Sequence, residues 1–269
     1  MRHGMSVLNG LVILTICLVC PVTYGAPAPT NPVISLDGEW LLATDPGNVG
    51  QAEKWWSSPR ADAKPTKVPW IIQDAFPGYH GVAWYWRSFE APVNPHPNGR
   101  TLLRFWQVDY KADVWLNDTP AGSHEGGESV FVFDVTNIVK PGETNRLAVR
   151  VLNPTHEPID GIVLKETAHR NKALPYSSGS AWDQGGIWDS VELLLVPQVW
   201  IEDLFVRPDW KTGQIRVQTN IRNAGSDTVT PHLQFAVAPA ASGETLAVAG
   251  LSPEAAAGDT LVETTLHVD

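Results

Sequence analysis

The sequence predicts an all-β chain made of two successive antiparallel units. Three observations carry this reading. Apolar and polar residues alternate at period two in run after run; Gly, Pro and Asn turns recur between the runs; and no apolar stripe of helical spacing appears anywhere. Period-two alternation gives one buried and one wet face, which is antiparallel sheet. The lack of helical segments between the runs argues against a parallel βα architecture.

Taken in order, the first residues read as an export signal over 1–25. Arg2 supplies the positive start, Leu11–Cys20 an apolar run broken only by Thr15, and Thr23–Ala26 small residues for cleavage. The run is too short for the roughly 20 residues that span a bilayer. A Pro/Ala linker, 26–34, follows. SLDGEWLLATDPGN then reads as a strand closed by a turn at Asp45-Pro46-Gly47, and Gln51–Trp56 as the one short helical turn. Val68-Pro69-Trp70 opens an extended piece, and Gly81–Phe89 is a strongly aromatic strand. In Ser129–Val135, Phe131, Phe133 and Val135 point one way. In Asn145–Leu152, Leu147, Val149 and Val151 share the buried face, while Arg146 and Arg150 take the wet one. Pro154–Gly185 breaks the rhythm: it is long, weakly periodic and rich in His, Gly, Ser and Pro, and connections of that length are usually functional or disordered. Alternation resumes at Gly186–Val196. A second unit starts near Pro197–Trp200, with strands over Ile215–Arg222, His232–Ala238 and Thr260–Val268. Its strand-turn spacing is that of an immunoglobulin-like sandwich, though 199–269 is short of the roughly 100 residues such a domain needs.

The bulk numbers exclude several classes. A formal charge of −10 supplies no basic face for nucleic acid or acidic membranes. Both cysteines, Cys17 and Cys20, lie in the export signal, so the mature chain is expected to hold no disulfide and no thiolate chemistry. A lipidated Cys20 is disfavoured by the bulky Val19 before it. The chain carries 12 tryptophans. Most are expected to fill the space between two sheets, with one or two open as stacking platforms.

The ordered set SLDGEW, GVAWYWRSF, LLRFWQVDYKADVWLN, AGSHEGGESVFVFDVT, KPGETNRLAVRVLNP and GGIWDSVELLLVP resembles the front end of glycoside hydrolase family 2, over Ser35 to about Asn223. The resemblance implies a jelly-roll (galactose-binding-like) β-sandwich over 35–198, called the sugar-binding domain. It implies an incomplete immunoglobulin-like β-sandwich over 199–269. In the family a (β/α)8 barrel with two catalytic glutamates follows, and this chain stops before such a barrel could begin.

The resemblance also implies where sugar would be met. Family members place an aspartate on the loop before the Gly-Ile-aromatic strand, here Gly186-Ile187-Trp188. The usual position, six before that glycine, falls on Ser180; the nearest acid is Asp183, between Trp182 and Gln184. Carboxylate, indole and amide suit a sugar, whose hydroxyls want acceptors and whose C–H face wants an aromatic ring; the alternative role for Asp183 is to tie down its loop. His80 and Asp74, with Gln73, lie where the family brings a further polar residue toward the sugar, or make structural hydrogen bonds. Asp37 reads as a turn acceptor, and the glycines of His124–Gly127 as positive-φ positions. The arginine common after the Gly-Ile-aromatic triplet is replaced by Asp189.

No catalytic constellation emerges. Retaining glycoside hydrolysis needs two carboxyl groups about 5–5.5 Å apart, and Glu125 and Glu128 read as loop surface charge. His156, Glu166 and His169 fit no zinc spacing, so neither metal nor cofactor is expected. The expectation is therefore a non-catalytic, carbohydrate-binding N-terminal portion of an exported family-2-like glycosidase, periplasmic or extracellular. Its partners would be an oligosaccharide or polysaccharide and a C-terminal catalytic barrel, with no nucleic acid and no membrane span. The alternatives are a free-standing envelope carbohydrate-binding module, or a truncated gene product without a function of its own.

Overall fold

The computed structural model describes residues 31–167 and 183–268. Residues 31–196 supply thirteen strands: β1 (Val33–Ser35), β2 (Gly38–Asp45), β3 (Lys64–Val68), β4 (Trp70–Ile71), β5 (Gly81–Glu90), β6 (Arg100–Phe105), β7 (Val108–Asp109), β8 (Lys111–Leu116), β9 (Thr119–Glu125), β10 (Phe131–Asp134), β11 (Thr144–Asn153), β12 (Gly186–Ile187) and β13 (Val191–Val196). A four-stranded sheet, β1-β13-β6-β10, faces a six-stranded sheet, β3-β2-β5-β11-β8-β9, and every pairing is antiparallel. A small sheet, β4-β12-β7, closes one end. The non-sequential strand order is that of a jelly roll, the fold expected for this half.

The core between the sheets follows from the alternation. Leu103 and Phe105 of β6 and Val191 and Leu193 of β13 meet Trp40 and Leu42 of β2, Ala83 and Tyr85 of β5, and Val149 and Val151 of β11, all buried. Burying such side chains contributes roughly 1.5–3 kcal/mol each. The carboxylate of Asp37, expected to accept within its own turn, instead takes the amide of Val191 (2.9 Å) and the hydroxyl of Ser190 (2.8 Å), tying the turn to the start of β13. Gly126 has the expected positive φ of 126°. Gly127 does not; it is required because a Cβ there would stand 2.5 Å from Oδ2 of Asp109.

Four expectations need correction. The tryptophans do not mostly fill the inter-sheet space. Trp84, Trp86 and Trp115 are buried on the outer face of the six-stranded sheet, under Trp55 and Trp56 of the Gly50–Arg60 segment, with Trp56 stacked on Trp115 at 5.1 Å. Strand β5 is thus covered on both faces, and period two alone could not tell a wet face from one covered by a loop. The same cover explains Arg150, which is fully buried rather than wet. Its guanidinium donates to Asp113 (2.9 Å), Asn48 (2.7 Å) and Asp160, groups drawn from three separate segments. The helical turn at Gln51–Trp56 narrows to a 3-10 turn at Trp55–Ser57 and is joined by a short helix α1 (Ile72–Ala75) and a 3-10 turn at Leu164–Glu166. Finally, Val33 and Ile34, assigned to the linker, pair with Leu194 and Leu193.

The second half has two sheets. One is β14-β15-β18, from β14 (Val199–Asp209), β15 (Gln214–Asn223) and β18 (Gly258–His267); the other pairs β16 (Leu233–Val237) with β17 (Ala247–Leu251). Strand β17, whose AVAGL has little side chain to alternate, escaped the sequence reading. Ile221, Leu233 and Ala255 are buried between the sheets, an immunoglobulin-like sandwich of five strands among the described residues. Trp200 packs on Leu102 and Val196, and Arg100 Nη2 donates to the carbonyl of Ala224 (3.1 Å), so β14 leaves the first sandwich already anchored to it.

Candidate functional site

The last residue of β11, Asn153, is fully buried and lies at the end of the sandwich closed by the small sheet. Gly185 approaches it so closely that a Cβ would stand 2.3 Å from the Asn153 Cβ. Only a glycine lets the chain entering β12 run against that side chain. The Gly185 carbonyl accepts from the amide of Ile72 at the start of α1 (2.8 Å), tying the two segments together.

This scaffold positions a polar cluster. Asn153 Nδ2 donates to Asp183 Oδ1 (2.9 Å), while its Oδ1 accepts from Gln73 Nε2 (3.0 Å) and lies 3.1 Å from His80 Nδ1. His80 Nδ1 is also 3.4 Å from Asp183 Oδ2, with the side chains 39 % and 14 % exposed. Gln73 is held in turn by the Tyr79 carbonyl (2.7 Å). Two phenols adjoin the cluster, Tyr79 half-buried and Tyr85 fully buried. Tyr79 donates to the Val82 carbonyl (2.6 Å), and burial pushes its pKa up to about 12. Tyr85 is wholly buried against the Ile187 backbone, and its phenol is likewise pushed upward. Both phenols stay protonated at any physiological pH.

Beside the cluster runs a groove of about 290 Å³ lined by Trp70, Ile71, Gln184 and Trp188. Trp70 is 52 % exposed. The register of the small sheet explains the grouping: Gly186 pairs with Ile71 and Ile187 with Trp70, which sets Gln184 and Trp188 at either end of β12 against β4.

Of the residues singled out from sequence, Asp183 and His80 come together, and Gln184 lines the adjoining groove. Asp74 does not join them. It is exposed on α1 and borders a broader groove of about 670 Å³ shared with Glu39, Lys67 and the Val68-Pro69 segment. Trp182 and Ser180 lie outside the described residues. Asn153, the hub, was missed in the sequence, where it ends an ordinary alternating strand; the one signal was that β11 closes on a polar residue just before the irregular segment. Trp70 was also missed as a platform. The cluster can read hydroxyls through a fixed carboxylate, an imidazole and an amide. Among the described residues it holds a single carboxylate, whereas retaining hydrolysis takes two. Among the described residues no three His, Cys, Asp or Glu side chains gather as metal ligands.

Residues 65–197 match the family profile for the sugar-binding domain of glycosyl hydrolases family 2. The chain is 35 % identical to a β-glucuronidase of Paenibacillus borealis over 129 residues, covering 46 % of this chain and 22 % of the relative. It is 25 % identical to the human β-glucuronidase over 225 residues, covering 75 % of this chain and 35 % of the relative. Among solved structures, a family-2 β-glucuronidase superposes with a TM-score of 0.72 at 18 % identity, covering 90 % of this chain and 27 % of that one. A Ruminococcus gnavus β-glucuronidase in complex with D-glucaro-d-lactam gives 0.62 at 21 % identity, covering 91 % and 44 %. The chain thus spans about a fifth to a third of the length of the curated relatives it matches. It belongs to glycoside hydrolase family 2, and it corresponds to the sugar-binding N-terminal portion of that family's β-glucuronidase-like members.

Proposed function

We propose that this chain is the carbohydrate-binding, non-catalytic portion of an exported glycosidase that acts on β-glucuronides, working with a catalytic barrel that supplies both reactive carboxylates. The observation that carries the reading is the arrangement around Asn153. A buried amide fixes the Asp183 carboxylate and the His80 ring at the rim of a groove floored by tryptophan. Asp183 accepts vicinal sugar hydroxyls, Gln184 both donates and accepts, and Trp70 takes the C–H face of the ring. The names of the relatives support glucuronides as the sugar class, and the Arg2-to-Ala26 segment supports export to a periplasmic or extracellular location. No helix among the described residues is long and apolar enough to cross a membrane.

The test uses the purified chain with an aryl β-glucuronide and with a glucuronide-terminated oligosaccharide. The expected result is no turnover, with weak binding seen by saturation-transfer NMR that drops about tenfold in Asp183→Ala, as loss of a charge-assisted hydrogen bond implies. Turnover by the chain alone, or oligosaccharide binding unaffected by the Asp183 change, would overturn the proposal.

A further inference from the structure

Far from this site in the chain, one face of the β14-β15-β18 sheet carries an unusual juxtaposition. Register places Arg207 directly opposite Arg216, with Thr265 completing the row; in the next row of that face stand Phe205, Gln218 and Glu263. Like charges directly opposite on a sheet are destabilising. Elsewhere this sheet solves the problem in the usual way: Arg222 lies opposite Asp259 and pairs with it at 2.9 Å. Arg207 and Arg216 have no carboxylate within ion-pair distance among the described residues. The nearest row's acid, Glu263, instead accepts from Gln218 Nε2 (2.8 Å). These side chains border a groove of about 200 Å³, and Phe205 on its edge is 53 % exposed.

We propose that this face is a second carbohydrate-binding site, selective for a uronate residue of an acidic oligosaccharide. The proposal goes beyond the reading above and uses none of its residues. Arg207 and Arg216, opposed in register and both bordering the groove, can bring two guanidinium forks to one carboxylate. The Gln218–Glu263 pair offers donors and acceptors to the neighbouring hydroxyls, and Phe205 offers an apolar plate to the pyranose ring. Trp210, at the tip of the β14–β15 turn with Lys211 Nζ 5.5 Å from its ring, is a further exposed aromatic outside the groove. This interleaving of ring and charge favours a sugar over an acidic peptide, which would need cations and no plates. The chain is net negative, so diffuse attraction of anions cannot stand in for a built site.

The experiment is calorimetric titration of the full chain with an oligogalacturonate, with its carboxyl-reduced neutral counterpart, and with poly-glutamate. Binding of the oligogalacturonate is expected. It should weaken about tenfold on carboxyl reduction and about tenfold in either Arg207→Gln or Arg216→Gln, while the binding of an aryl β-glucuronide at the first site stays as in the parent in both arginine variants, which separates its failure from that of the first site. Because each Arg→Gln change relieves the repulsion, neither should lower the melting temperature, so lost binding is not lost folding. Absence of binding, equal affinity for the neutral oligomer, indifference to both arginine changes, or poly-glutamate binding as tightly would each overturn the proposal. The last result would mark an acidic-protein docking face instead.

Discussion

Replacing Asn153 by alanine tests whether the site is built from its buried hub outward. The amide bonds the Asp183 carboxylate, the Gln73 amide and the His80 ring, at 2.9, 3.0 and 3.1 Å. A bond to a charged group is worth about 1.5–3 kcal/mol and a neutral one about 0.5–1.5 kcal/mol. His80 and the rim of Asp183 can rebond to water, so the expected loss lies toward the lower end, about 2–4 kcal/mol in all. Alanine keeps the Cβ against which Gly185 rests, so packing there is not a competing cause. Guanidinium unfolding followed by tryptophan fluorescence reads the first sandwich, where most of the buried indoles lie. Asn153→Asp is the discriminating partner. It sets a second carboxylate against Asp183, and two such groups cannot both ionise cheaply. Its deficit should therefore shrink as the pH falls toward the carboxylate range, and by more than that of the alanine variant, which gains back only the difference between a charge-assisted and a neutral hydrogen bond. An alanine variant within about 0.5 kcal/mol of the parent, or an aspartate variant with the same pH profile, would refute the hub.

Three further outcomes follow from the same geometry. Gly185→Ala puts a methyl 2.3 Å from the Asn153 Cβ; overpacking costs about 1–3 kcal/mol, and the displaced Asp183 should lose glucuronide binding together with stability in the same unfolding and NMR assays. Arg150→Met should cost about 3–5 kcal/mol, because it leaves Asp113 and Asp160 without their buried cation. Burial raises the Asp160 carboxyl, but the Arg150 charge, hydrogen bonds from Asn48 and Arg150, and the Lys111 charge outweigh it and hold its pKa below the usual value. Its contribution is thus complete above the unfolded carboxylate range near about 3.9 and lost as pH falls through the lower folded value. Asp160→Asn should flatten that part of the acid-side fall in denaturation midpoint, and an unchanged slope would count against it. Trp70→Ala, at a half-exposed position, should leave stability within about 0.5 kcal/mol yet weaken sugar binding by about 0.5–1.5 kcal/mol, as read by titration.

The fold was legible where one face of a strand is wet. Val217 and Ile221 declare the inner face of β15, because Arg216, Gln218, Asn220 and Arg222 beside them along the strand are polar. Legibility failed where something other than water covers the second face. Nothing local in GVAWYWRSF says that Trp84 and Trp86 point away from the sandwich core and under Trp55 and Trp56, since both faces of the strand are apolar and either could be inner. Arg150 misled for the mirror-image reason. An arginine in an alternating strand reads as solvent-facing until the three groups that neutralise it are brought in from Asn48, Asp113 and Asp160, and only the tertiary fold does that.

The candidate site divides along the same line. Asp183 and Gln184 could be found because the Gly-Ile-Trp triplet that follows them carries a resemblance with a fixed offset, and His80 because it abuts a recognisable strand. Asn153 could not. It lies 73 residues from His80 and 30 from Asp183 in sequence, and the KPGETNRLAVRVLNP run that contains it gives no sign that its side chain is turned inward. What selects it is burial combined with reach: a neutral side chain that both donates and accepts can satisfy a carboxylate and an imidazole at once without bringing a charge of its own into the interior. An aspartate or lysine there would impose a charge, and a leucine would leave Asp183 without that bond. The residues that face a ligand are thus written in local motifs, whereas the residue that aims them is determined by the closure of the sandwich.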